Sequence, residues 1–486
     1  MAHLQEAISR YNKILEAPAH KDLSWVKLLH EQMEAERLSA GGRLLCPFLR
    51  PNFVTRRQYE SMVKTGEALI SAIERMEQIV LGSPALLGRM QLLPAEKMLA
   101  TVDPGYQMSE VAARFDLHLS NGTLQVVQYN ADSPSGLAWA EGLADIFYDC
   151  PPVKEFRKRY TLTRVGGKKY FLLALLKAYK QFSASKNQLR NGSNGHRNGF
   201  NGNGNGHNGN GHEGNGHNGH SKKPNIAILE LRGPFTAGGP GEYELIREFF
   251  GEEGYATEIV SPEQLEYRGG VLRSGNFDID LIYRRVSAQE FLMRFDLSHP
   301  LVQAYRDHAV CVVNSFRSEM THKKALFGLL TDEALTGKFP AAERRAIKDH
   351  VPWTRLVAPG KTAYHERPID LLDFINQNRE KLVLKPNDDY SEQQSFIGAE
   401  MDQEAWERAV RQAQRSPYVV QEKVEPVRSV FPMVTYGHLE YREMQVDVHP
   451  QAFLGKVSGC ASWLSSGAGA YSSSAGLAPT FIIDQK

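Results

Sequence analysis

Cysteine is scarce in this chain: four among 486 residues, at positions 46, 150, 311 and 460, with no CxxC pair. That spacing argues against a disulfide framework or a zinc site and fits a reducing compartment. An excess of either charge is also missing. Lys and Arg number 57 against 56 Asp and Glu, a formal net charge of +1, so bulk charge gives no reason to expect a nucleic-acid partner. Long apolar runs are absent. The strongest, "YFLLALL" at 170–176, falls far short of the roughly 20 residues that span a bilayer. Leu4, Ile8, Tyr11 and Leu15 recur at helical spacing with Glu6, Arg10 and Lys13 between them, which is an amphipathic helix without the apolar core of an export signal. The expectation is a cytoplasmic protein with neither a membrane nor a nucleic-acid partner. Two phosphate-loop signatures, GK[ST] and GxGxxG, are missing as well. The glycine-rich turn 232–241 follows a strand and precedes a helix, as anion loops do, but a permissive turn accounts for it equally well.

What is present divides the chain. Its length exceeds one ordinary core. The Asn/Gly/His-rich stretch 187–222 has almost no apolar side chains to offset the entropy of ordering and reads as a disordered linker, its histidines either solvated filler or a loose metal trap. Before it, 1–186 opens with helical patterning and then shows two alternating runs, "ARFDLHL" and "TLQVVQYN", joined by the turn "SNG": a β-hairpin. After it, 223–318 alternates strand and helix, the pattern of an open α/β layer. In 319–486 the strands "LVLKP", "YVVQEKV", "YREMQVDVH" and "AFLGKVSG" come with little helix between them, which suggests an antiparallel lobe. The fold class expected is α/β of the α+β kind.

Polar groups collect where strands end. Arg114 and Asp116 alternate with Phe115 and Leu117, so both charges share one strand face; Gln128 and Asn130 do the same on the partner strand. Four polar groups on one side of a hairpin can converge on a ligand, or form a solvated face. Lys385 closes an aliphatic strand as a point charge suited to phosphate, with Asp388 and Asp389 following as oxygen donors for a hard cation; taken alone, the stretch reads better as a surface turn with solvated charges. Lys323 and Lys324 stand at a helix head, a poor place for cations unless an anion is near.

In this order "RFD…QYNADSPSG", "NSFRSEMTHKKAL", "LVLKPNDDY" and "VVQEKVEP" resemble the circularly permuted ATP-grasp ligases, the group of glutathionylspermidine synthetase and eukaryotic-type glutathione synthetase. The resemblance covers most of the chain outside the linker. It implies the circularly permuted ATP-grasp fold, ATP and Mg²⁺ as cofactors, and small peptide-like carboxylate and amine substrates joined through an acyl phosphate. It further implies that Arg114 is catalytic and that Asp116, Gln128, Asn130 and Asp389 form the metal set. Lys324 and Lys385 would contact phosphates, Gln421, Glu422, Lys423 and Val424 the adenine, and Glu443 the ribose. Ser133, Ser135, Arg284 and Arg285 would contact the peptide-like substrate. Three places depart from the family pattern. Gln128 stands where a carboxylate is usual, "SEQQSFIG" at 391–398 replaces a glycine-rich lid, and Trp463 stands where a basic residue is usual. The alternative is a degenerate member that binds nucleotide or peptide without turnover.

Overall fold

The computed structural model describes residues 2–40, 42–120, 123–195, 223–231, 241–388, 395–466 and 475–485. The expected linker falls partly on it: a helix runs Lys168–Gly195, while 196–222 lies outside the described residues. So do the glycine-rich turn at 232–240, Asp389, and residues 391–394. Among the described residues no helix is long and apolar enough to cross a membrane.

Three sheets carry the architecture. The first is parallel, in the order Cys311–Val313, Leu281–Arg284, Ile226–Leu229, Thr257–Val260. Its first three segments are buried along their whole length and, Arg284 apart, are dominated by apolar side chains, as a sheet covered by helices requires. Phe171, Leu175 and Phe250 cover one face; Phe291, Leu301 and Phe316 cover the other. This is the open α/β layer expected.

The second sheet has eight strands and joins the two ends of the chain. Its main path runs Asn52–Thr55, Gly476–Gln485, Lys456–Ser465, His438–Phe453, Ala112–Ser120, Thr123–Asn130. The third has four: Thr354–Leu356, Tyr418–Glu422, Leu382–Pro386 and Phe396–Ile397, all antiparallel. Helices Leu371–Gln377 and Gln403–Ala413 cover one of its faces around Trp406. The fold class is thus the mixed α/β one expected, but the late strands do not form one lobe. "LVLKP" and "YVVQE" belong to the four-stranded sheet; "YREMQVDVH" lies in a long strand that pairs with the amino-terminal hairpin, Gln451 opposite Arg114. "AFLGKVSG" is not one strand either. Leu454 and Gly455 both have positive φ, 47° and 78°, and make a two-residue turn between Phe453 and Lys456.

Candidate functional site

The hairpin forms as its alternation requires. Arg114 pairs with Asn130, Phe115 with Tyr129 and Asp116 with Gln128, so the four polar residues share one face while the rings of Phe115 and Tyr129 pack on the other at 4.8 Å. A bulge between Asp116 and Leu117 lies on the turn side of these pairs and leaves them in phase. On the polar face Arg114 Nε donates to Asp116 Oδ1 at 2.8 Å and Nη2 to Oδ2 at 3.4 Å. Gln128 Nε2 donates to Asn130 Oδ1 at 3.0 Å. Arg114 Nη1 also reaches Ser135, to the carbonyl at 3.3 Å and the hydroxyl at 3.4 Å.

The next strand extends this face. Gln451 lies opposite Arg114, and His449 and Asp447 follow on the same side by alternation. His449 Nε2 is 3.6 Å from Asp116 Oδ1, and His118 Nε2 is 2.7 Å from Asp447 Oδ1. Trp463 sits across from Asp447, so it belongs to this surface. Burial alone would raise the Asp116 carboxyl. Arg114, His449 and the hydrogen bonds from Arg114 and Asn130 outweigh it and hold that carboxyl below its ordinary range.

The loop after the hairpin is clamped from the parallel sheet. Asn314 Nδ2 donates to the carbonyls of Ala112 and Ala131, both at 2.6 Å, tying the roots of the two hairpin strands together. Arg284 and Arg285, expected to meet a substrate carboxylate, are committed to this loop instead. Arg284 is fully buried; it pairs with Asp132 and donates to the carbonyls of Asn314 and Val286 at 3.0 and 2.6 Å. Arg285 Nη1 donates to the Ser133 carbonyl at 2.7 Å and to that of Pro134. Glu242 Oε1 accepts from the amides of Gly136 and Ala138 at 2.8 and 3.2 Å. Ser133 and Ser135 are half-buried, with Ser135 in contact with Arg114.

The two adjacent lysines part company. They occupy a corner between helices Ser318–His322 and Ala325–Leu330. Lys323 is buried among Glu96, Glu319 and Asp388. The Lys324 amide donates to the Asn387 carbonyl at 2.9 Å, two residues beyond Lys385 in the chain, which brings the two expected phosphate lysines to one corner. Lys385 Nζ donates to Gln421 Oε1 at 2.8 Å, and Gln421 Nε2 to Thr354 Oγ1 at 3.0 Å, across the sheet face turned away from the Trp406 core. Glu422 accepts from Tyr364 at 2.6 Å, Lys423 pairs with Glu425 at 2.9 Å, and Val424 is half-buried. Glu443 is exposed and faces Arg428 at 3.6 Å.

Two contacts bring these pieces together. The helix Ser318–His322 packs against the hairpin strand Thr123–Asn130. His322 at its end is buried, and burial drives its pKa down to about 3; Asp132 opposes this, while Lys324, Lys323 and Arg114 add to it. Further out, the Glu425 carbonyl meets His118 Nδ1 at 3.2 Å. His322, His449, Gln451 and Asn314 escaped sequence reading. Only the strand alternation around residue 449 carried a signal, and it did not name the partner strand.

The hairpin offers a hard cation one carboxylate and two amide oxygens, cross-linked by hydrogen bonds. That set fits Mg²⁺, which is commonly held by one or two carboxylates with water and phosphate completing the shell. A tighter acidic cluster, Glu96, Glu319 and Asp388 with oxygens within 4.8 Å of one another, has the size of a metal cage. It holds the Lys323 ammonium and does not fit an ion.

No family model matches the sequence, and no curated protein does either. Among solved structures the chain is similar to an apo glutathione synthetase-like effector from Globodera pallida. Identity is 12%, coverage is 94% of this chain and 97% of the other, and the TM-score is 0.56. It is less similar to a putative γ-glutamylcysteine synthetase from Methylobacillus flagellatus: 11% identity, 85% and 84% coverage, TM-score 0.38. A third structure, an ATP-grasp ligase bound to a minimal precursor, Mg and ADP, gives 10% identity, 54% and 88% coverage and a TM-score of 0.26. The first of these shows that the fold is the glutathione synthetase-like one.

Proposed function

We propose that this chain, having the glutathione synthetase-like fold, is an ATP-dependent carboxylate–amine ligase. ATP phosphorylates a small peptide-like carboxylic acid, an amine attacks the acyl phosphate, and an amide, ADP and phosphate result. One observation carries the reading: the helix Ser318–His322, which leads into the Lys324–Lys385 corner, packs against the hairpin strand that bears Gln128 and Asn130. Phosphoryl transfer asks the protein mainly for positioning and charge neutralisation, which cations on rigid neighbouring strands supply.

In this reading Lys324 and Lys385 hold the phosphates. Arg114, oriented by Asp116 and Ser135, neutralises charge at the acyl centre. Asp116, Gln128 and Asn130, with Asp389 from outside the described residues, hold Mg²⁺, which when bound offsets phosphate charge. The strand at Gln421–Val424 takes the adenine, and Glu443 the ribose. Ser133 and Ser135 face the substrate on a loop whose shape Arg284 and Arg285 fix from behind. The three regions divide the work: 1–186 brings the catalytic hairpin, 223–318 fixes the substrate loop, and 319–486 binds the nucleotide.

A second reading has its own support. Gln128 brings no charge and its amide occupies the Asn130 oxygen, while Arg114 neutralises the lone carboxylate. Such a site suits a protein that binds nucleotide or peptide without turnover. Thermal unfolding with millimolar Mg-ATP tests both, because a ligand bound to the native state raises its melting temperature. No shift removes the nucleotide reading. A shift with no ADP release against pools of acids and amines leaves the binder.

A further inference from the structure

Of two adjacent lysines at the phosphate corner, one is sequestered. Lys323 is 3% exposed. Its Nζ lies 3.2 Å from Glu96, 2.8 Å from Glu319, and against Asp388. These carboxylates come from three separate segments: the helix Pro94–Thr101, the helix Ser318–His322, and the residues just after the Leu382–Pro386 strand. Asn387 stitches the same place through its neighbours. Its side-chain oxygen accepts from the Ala325 amide at 2.8 Å, its carbonyl from the Lys324 amide at 2.9 Å, and its Nδ2 donates to the Met90 carbonyl at 2.9 Å.

A hydrogen-bonded asparagine alone would locate the strand end. The added ring of three acids around one ammonium is expensive to bury unless its geometry matters, since each charge gives up hydration. The ring surrounds the join between Lys324 on one element and Lys385 on another. We propose that Lys323 is a positioning residue, an internal cation that docks the end of the 382–386 strand on the 318–325 corner and so sets the spacing of Lys324 and Lys385 toward one triphosphate. This rests on the nucleotide reading above. In it Lys323 touches no phosphate itself; Glu96, from the amino-terminal part of the chain, also accepts from the Leu93 amide at 2.8 Å, which fixes the carboxylate at the head of its own helix.

The test uses the full chain and two readouts: Mg-ATP affinity by calorimetry, and amide hydrogen exchange over 382–388. Glu96→Gln keeps the shape of the ring and removes one charge. It is expected to weaken Mg-ATP by about tenfold and to speed exchange over 382–388, without nucleotide as well as with it. Lys323→Met, which takes the ammonium out of the ring, should do the same more strongly wherever it folds. Lys324→Met should weaken Mg-ATP while leaving exchange over 382–388 as in the parent. Exchange in Glu96→Gln equal to the parent overturns the proposal, as does unchanged affinity in a parent that binds Mg-ATP. A parent that binds no Mg-ATP ends the nucleotide reading instead, and the exchange rates then decide whether the ring docks the strand.

Discussion

Two arginine–aspartate pairs flank the loop that follows the hairpin, and their surroundings differ more than their chemistry does. Arg284 and Asp132 are both wholly buried, with Arg284 donating to three further carbonyls and Asp132 accepting from the Ala288 amide at 2.9 Å. Arg114 and Asp116 keep 17% and 20% of their side chains exposed on a face lined by His449, Gln128 and Asn130. The first pair is sealed from solvent and bonded to the protein's own groups. The second is polarised and partly open. Between these two arginines, burial separates a residue that shapes the site from one that can act in it.

Breaking each pair gives the widest contrast. Asp132→Ala leaves the Arg284 guanidinium buried without its partner and should cost about 3–5 kcal/mol in denaturant unfolding. Arg114→Ala, at a partly solvated pair, should cost about 1 kcal/mol or less. Equal losses would mean that both pairs are architectural, and the distinction between them would fall.

The pH dependence sharpens it. His322 is kept neutral in the folded chain with a pKa of about 3, lowered chiefly by burial, against about 6.5 when unfolded. Between those values the unfolded chain takes up a proton that the folded one refuses. The stabilisation is therefore complete above pH 6.5 and lost as pH falls, at roughly 1.4 kcal/mol per pH unit. Unfolding free energies from denaturant titrations between pH 7.5 and 5 should fall by about 2 kcal/mol for the parent. They should drop markedly less for His322→Gln. Parallel curves would show that the imidazole is not the group lost.

Activity is where Arg114 should matter. Under the ligase reading Arg114→Ala lowers ADP release about 10²–10³-fold, the usual cost of removing one transition-state donor, while Mg-ATP still raises the melting temperature. Loss of binding along with turnover would move Arg114 from the acyl centre to the nucleotide.

How much of this was legible in sequence follows from the range of the interactions. The hairpin face was legible because alternation is local, and the bulge falls beyond Asp116 where it cannot change the phase of the four polar residues. The parallel layer was legible from its buried apolar runs. The pairing of His438–Phe453 with Ala112–Ser120 was not: it joins segments more than three hundred positions apart, and no local pattern names a strand's distant neighbour. His449 and Gln451 were hidden for that reason. The two lysines look alike in sequence, and only the convergence of Glu96, Glu319 and Asp388 tells which one is sequestered.

Gln128→Glu is the finest probe, because it restores a carboxylate to the exposed face and leaves the buried pair untouched. Residue 128 lies directly opposite Asp116, and its amide now donates to Asn130 at 3.0 Å. A glutamate there gives up that donated bond and places a second negative charge beside Asp116, so without metal the variant should melt slightly lower than the parent. Mg²⁺ reverses the balance: with ADP present, the Mg²⁺ concentration needed for half of the melting-temperature rise should fall by about tenfold, since a charged oxygen replaces a neutral one in the cation's shell. An unchanged Mg²⁺ midpoint would place the cation away from residue 128. A weaker one would mean that the amide's bond to Asn130 is what orders the hairpin oxygens, and that the departure at 128 is itself the design of this site.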